Sequence, residues 1–296
     1  MNFVDNQTQI DKIKNPHMVE QLTIRNMASF NLDAFTSLKI LICDSCNITE
    51  MPSLPDTLQK LHCNNNQLTS LNNLPDTLQE LDCFNNKLTS LDNLHSTLRT
   101  LGCDNNKLIS LDNLPSTLLA LHCETNQLTS LNNLPSQLRQ LYCYDNKLTS
   151  LNNIPSTLQI LDCRDNQLTS LENLPSTLQN LFCEMNQLTS IEIPPNLQYL
   201  YCQNNELTDL PRLPDSLTII YCGHNPIDDN VFANRGFHIN ATTKERYNEF
   251  YDETHKPLLH GGKKRRIKAR KTNARKTRRT NTRRTKPRKT KRRTMG

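Results

Sequence analysis

Cysteine returns at a fixed interval along most of this chain. Cys63, Cys83, Cys103, Cys123, Cys143, Cys163 and Cys183 are spaced by 20 residues, each two after a leucine and three before an asparagine. The phase slips by one residue near Ile191–Gln198 and resumes with Cys202 and Cys222, while Cys43 begins the series. A degenerate copy, V-E-Q-L-T-I-R-N-M, precedes it, with Leu22 and Ile24 in the leucine and cysteine places. Such a period dictates stacked units, each touching only its neighbours, and excludes a globule closed by long-range contacts.

One unit, Leu58–Thr77, reads L-x-x-L-x-C-x-x-N-x-L-x-x-L-x-N-L-P-x-x. Leu61 and Cys63 alternate with Lys60, His62 and Asn64, the pattern of a strand with one buried face. Asn66 then turns the chain, and the late proline favours an extended return over a helix. A single unit buries too few apolar side chains to offset the entropy of ordering its backbone, so only the array is stable.

These residues resemble the leucine-rich repeat, whose core is L-x-x-L-x-L-x-x-N/C-x-L. The endings M-P-S-L-P and L-P-R-L-P, at Met51–Pro55 and Leu210–Pro214, are similar to those of the short repeats in YopM- and IpaH-type bacterial effectors. The Asn-rich units and basic, Thr-studded tail also look like those of giant-virus repeat proteins. The resemblance implies an α/β-type solenoid, mostly β. Its horseshoe would carry a parallel sheet on the concave face and an extended or polyproline-II convex side. The expected organisation is an N-terminal segment or cap (1–18), a solenoid of one degenerate plus ten units (19–227), a C-terminal cap (228–260) and a disordered polybasic tail (261–296).

The ten periodic cysteines occupy the third leucine site of that consensus, and Cys46 takes the place where later units write asparagine. A free cysteine packs as a small hydrophobe. The opening residues contain no apolar signal segment, and no apolar run reaches about 18 residues. Both point to a reducing compartment with free thiols and no membrane span. Zinc would need a tetrahedral cluster, and C-D-S-C at Cys43–Cys46 lacks a second pair near it. No metal and no cofactor are expected.

Within each unit the columns pointing out of the strand vary most. Every aromatic between residues 41 and 225 falls in them: Phe84, Tyr142, Tyr144, Phe182, Tyr199, Tyr201 and Tyr221. The same columns hold Asp44, Glu80, Asp82, Asp104, Glu124, Asp145, Asp162, Asp165 and Glu184, against only Lys60 and Arg164 as bases. One reading is strand propensity, since aromatics suit pleated surfaces. The other is a protein-binding face, with the aromatics, Asp162 and Glu184 as anchors for a basic partner. No serine, cysteine or carboxylate forms a consistent triad with His62, His122 or His224, so no enzyme is expected.

Beyond the repeats, Thr242 and Glu245 fit a capping box, and Tyr247, Phe250 and Tyr251 share a helical face, predicting a capping helix near 243–254. After Gly261 the chain carries 19 of its 35 Lys and Arg and no acid, leaving 16 bases against 29 acids before it, a net of −13. The tail would bind a polyanion through Lys263, Lys264, Arg265, Arg266, Lys268, Arg270, Lys271, Arg278, Arg279, Arg283, Arg284, Arg292 and Arg293. Its chemistry suits nucleic acid, an import receptor or a simple solubilising role. The expected function is a non-enzymatic intracellular interaction protein, cytoplasmic or nuclear. The alternative is an effector-type adaptor that recruits modifying enzymes of a host.

Overall fold

The computed structural model describes residues 2–227, apart from Asn73, Asp92, Asn93 and Asn113, together with the backbone of Phe237–His238. The helix expected near 243–254 and the basic tail lie outside these residues. The strands are β1 (Asn2–Val4), β2 (Gln21–Ile24), β3 (Ile40–Ile42), β4 (Lys60–His62), β5 (Glu80–Asp82) and β6 (Thr100–Gly102). They continue with β7 (Ala120–His122), β8 (Gln140–Tyr142), β9 (Ile160–Asp162), β10 (Asn180–Phe182), β11 (Tyr199–Tyr201), β12 (Ile219–Tyr221) and β13 (Phe237–His238). All join one sheet in chain order. β1 to β12 pair in parallel, and β13 closes antiparallel on β12.

The period fixes the register. Leu61 lies opposite Leu81, and Leu81 opposite Leu101. Across the shortened unit Leu181 still faces Leu200, because the missing residue comes out of the return segment and not the strand. Each strand is three residues long, yet its ladder runs further. Cys63 N donates to Asp82 O (2.9 Å) and Asn65 N to Phe84 O (3.0 Å). The second residue after each of the ten periodic cysteines then takes a left-handed backbone: φ is 56° at Asn65, 53° at Asn85, 49° at Asp165 and 52° at Thr125. Asn and Asp tolerate that region best among residues with a Cβ, which explains their abundance in this column.

Two side-chain ladders tie the turns together. In the first, Asn126 Oδ1 accepts from Leu108 N (3.0 Å), while its Nδ2 donates to Cys103 O and Cys123 O (both 3.1 Å). The same bonds recur from Asn66 to Asn225. Each asparagine therefore satisfies buried backbone groups of its own turn and the one before it. Cys46 stands in for the absent asparagine, its thiol donating to Ile24 O (3.3 Å). The second ladder follows the proline. Thr77 Oγ1 donates to Asp56 O (2.6 Å) and Leu58 O (2.7 Å), and Thr57, Thr97, Thr117, Thr157, Thr177 and Ser216 repeat this.

The return side is extended and closes in a tight turn, where Leu78 N donates to Pro75 O (3.1 Å). The proline thus opens the turn that feeds the next strand. The core is a continuous stack of leucines with the cysteines among them; Leu61, Cys63, Leu81 and Cys83 are wholly buried. All eleven thiols are free, and only Cys222, in the last described turn, is half-buried. Several thiols also donate weakly to the next turn, as Cys83 Sγ does to Gly102 O (3.3 Å). At the N-terminal end β1 adds a strand beyond the degenerate unit. The short helix α1 (Gln7–Asp11), capped by Asn6, packs Ile10 into the core beside Val4. Among the described residues no helix is long and apolar enough to cross a membrane.

Candidate functional site

The outward sheet face is built from the first and third residues of each strand and the residue after each cysteine. Because the register is fixed, equivalent residues of successive turns lie about 4.8 Å apart, within stacking distance. Tyr142 on β8 stacks on His122 of β7, with centroids 4.4 Å apart and planes at 11°. Tyr201 on β11 lies between Phe182 (5.0 Å) and Tyr221 (4.8 Å), making a row of three rings. Tyr199 sits one column over on β11, opposite Asn180 and Ile219. Phe84 shares the column of Tyr144 but is separated from it by Asp104 and Glu124.

Between the two aromatic groups lies Arg164, with Lys60 one of the two bases in these columns. Its Nε and Nη2 hold the Asp162 carboxylate at 2.8 and 2.7 Å. Its guanidinium carbon lies 4.9 Å from the Tyr144 centroid and 5.9 Å from that of Phe182. Asp162 is only 3% exposed, so its charge is engaged inside the protein and not offered outward. Glu184 is different. Its Oε1 is 3.8 Å from Arg164 Nη1, while its Oε2 is buried without a hydrogen-bond partner. Burial outweighs the arginine and pushes the Glu184 carboxyl up to about 7. Glu124 Oε2 and Gln203 Oε1 are likewise buried and unpartnered.

The N-terminal half of the face is acidic; besides Phe84 it carries Phe3 on the edge strand β1, exposed with the Arg25 guanidinium 4.6 Å from its centroid. Asp104 is raised to about 6 by burial and by Glu124 beside it. His62 lies between Glu80 and Asp82, at 3.3 Å from each, and Lys60 Nζ holds Glu80 at 2.6 Å. His62, Glu80 and Asp82 bring ligand-type atoms within 4.8 Å of one another. These contacts already account for the arrangement, and the Lys60 ammonium opposes a further cation there. Asp82 leans across Gly102, where a Cβ would meet its Oδ1 at 2.6 Å, so a larger residue there would push the carboxylate aside. Burial raises the cysteine thiols throughout, that of Cys222 to about 11, which leaves no reactive thiolate near neutral pH.

Comparison with solved structures agrees with this geometry. The fold is a leucine-rich-repeat solenoid. The chain is similar to YopM from Yersinia enterocolitica WA-314, with 35% identity over 70% of this chain and a TM-score of 0.68; it spans 47% of that protein. It is also similar to YopM from Yersinia pestis, a leucine-rich effector protein, with 28% identity, a TM-score of 0.57 and coverage of 71% of this chain and 73% of that one. The functional domain of InlJ from Listeria monocytogenes, which includes a cysteine ladder, shows 27% identity and a TM-score of 0.57 over 75% of this chain and 61% of that one. No family model and no curated protein matches the sequence.

Proposed function

We propose that this protein is a non-enzymatic interaction scaffold whose outward sheet face, from His122 to Tyr221, binds a basic protein partner. The observation that carries this reading is the grouping of rings. The structure brings aromatics spread over about a hundred residues into two patches flanking Arg164. Large rings lose little entropy on contact and serve as anchors at interfaces. The acids around them favour a positively charged partner. The tail's positive residues, Lys263 to Arg293, supply a separate contact for nucleic acid or for an import receptor, and so an intracellular, cytoplasmic or nuclear location.

A second reading follows from the similarity to the YopM effector: an adaptor that recruits modifying enzymes. Pull-down from cells with the full chain, with a variant lacking 261–296 and with the Tyr142→Ala/Tyr201→Ala variant separates these. Under the first reading the tail deletion loses nucleic acid or import receptor alone, and the double variant loses the protein partner. Retention of a kinase or ligase by the tail-deleted chain favours the adaptor. Equal capture by the double variant and the unaltered chain overturns the assignment of the face.

A further inference from the structure

The face already holds one guanidinium, and the way it does so has been left half-repeated. Arg164 meets the Asp162 carboxylate with two nitrogens and lies against Tyr144 and Phe182. One turn further on, the acceptors recur without a donor. Glu184 Oε2 and Gln203 Oε1, on neighbouring turns of the same column, are buried and unpartnered. The next residue in that column is Gly223, which has no side chain to offer. Beside them runs the Phe182–Tyr201–Tyr221 row.

Buried acceptors are nearly always paired, and an orphaned carboxylate oxygen is the most expensive kind to leave alone. The missing group must therefore donate at least two hydrogen bonds, carry positive charge and tolerate aromatic surface. A metal dication fits poorly, since it takes about six oxygen ligands and only one carboxylate oxygen and one amide oxygen are free here. An ammonium is a compact, strongly hydrated point charge, whereas a guanidinium is a planar fork that stacks on rings. Building on the interaction-face reading, we propose that Glu184 and Gln203 form a subsite for an arginine side chain of the protein partner. The guanidinium donates to Glu184 Oε2 and Gln203 Oε1 and lies along the Tyr201 ring. Glu184 rests against the sheet with nothing holding Oε2, so it turns outward to meet the arginine.

Binding would then lower the carboxyl that burial has raised to about 7, releasing protons near neutral pH. The charged and titratable groups facing Glu184 are Asp162, Arg164 and Asp165 from the preceding turn and Tyr201 from the following one. The test is calorimetric titration of the full chain with a capped Gly–Arg repeat peptide and its citrulline counterpart, in two buffers of different ionisation enthalpy. The arginine peptide should bind at least ten-fold more tightly than the citrulline one and release protons at neutral pH. Glu184→Gln should abolish both the preference and the proton release. Asp165→Asn, which removes an exposed acid from the same region, should change the affinity less than three-fold. A Glu184→Gln effect no larger than that of Asp165→Asn would overturn the subsite, leaving only a general acidic field. If Tyr142→Ala/Tyr201→Ala still abolishes partner capture in that case, the interaction face stands and only the arginine subsite fails.

Discussion

Thr125 is the residue most out of keeping with its own column. It is β-branched at φ 52°, where five of its equivalents in other turns are Asn65, Asn85, Asn105, Asp145 and Asp165. A left-handed backbone costs about 1–2 kcal/mol for an ordinary residue, and asparagine relieves much of it. Thr125→Asn should therefore raise stability by about 1 kcal/mol, read as an increased urea midpoint with unchanged slope. Glu184 is a second site of built-in cost, and its sign is set by linkage. Its carboxyl lies at about 7 in the fold against 4.5 for an unhindered glutamate. Below 4.5 both states hold the proton and no penalty arises. As pH rises from 4.5 toward 7 the unfolded chain releases the proton first, so the fold loses stability. Glu184→Gln should thus be neutral at acid pH and more stable than the native chain by about 1–3 kcal/mol near pH 8. Thermal melts across that range check it.

At the scale of elements, the two ladders should differ sharply when broken. Asn126→Ala strands the buried Leu108 N and takes one of two donors from the Cys103 and Cys123 carbonyls, which keep Asn106 and Asn146, and should cost about 2 kcal/mol or more. Thr77→Val removes bonds to the Asp56 and Leu58 carbonyls near the surface, where water replaces the hydroxyl, and should cost about 1 kcal/mol. Chemical denaturation of both variants decides between these values. The strands, the buried cysteines and the asparagine ladder were legible because each recurs at one place in every unit. The hydroxyl ladder recurs too, interrupted at Gln137 and Asn196, but a threonine in this place reads as turn composition, and its bonds reach back about a full unit. Arg164 was harder still. It occurs once, and its role depends on Asp162, Tyr144 and Phe182 being brought together by register. Likewise nothing in the local sequence distinguishes the engaged Asp162 from the unpartnered Glu184, because pairing is a property of neighbouring turns.

At the scale of the whole molecule, a solenoid's stability is a sum over units and the interfaces between them. The consequences of a substitution then depend on its place in the array. Asn225→Ala, in the last described turn, should cost less than Asn126→Ala, because the end of the array can fray without disturbing its centre. The outward face is largely independent of that framework, since the core consists of leucine and cysteine and the rings stand on the other side of the sheet. Binding and folding should therefore be separable. The direct measurement is the affinity of the Tyr142→Ala/Tyr201→Ala variant for the partner captured by the native chain, taken alongside its urea midpoint. The interaction face requires a loss of about 2 kcal/mol or more in binding with little change in the midpoint. A variant that unfolds more easily while its folded fraction binds with undiminished affinity would make the rings structural and contradict that role.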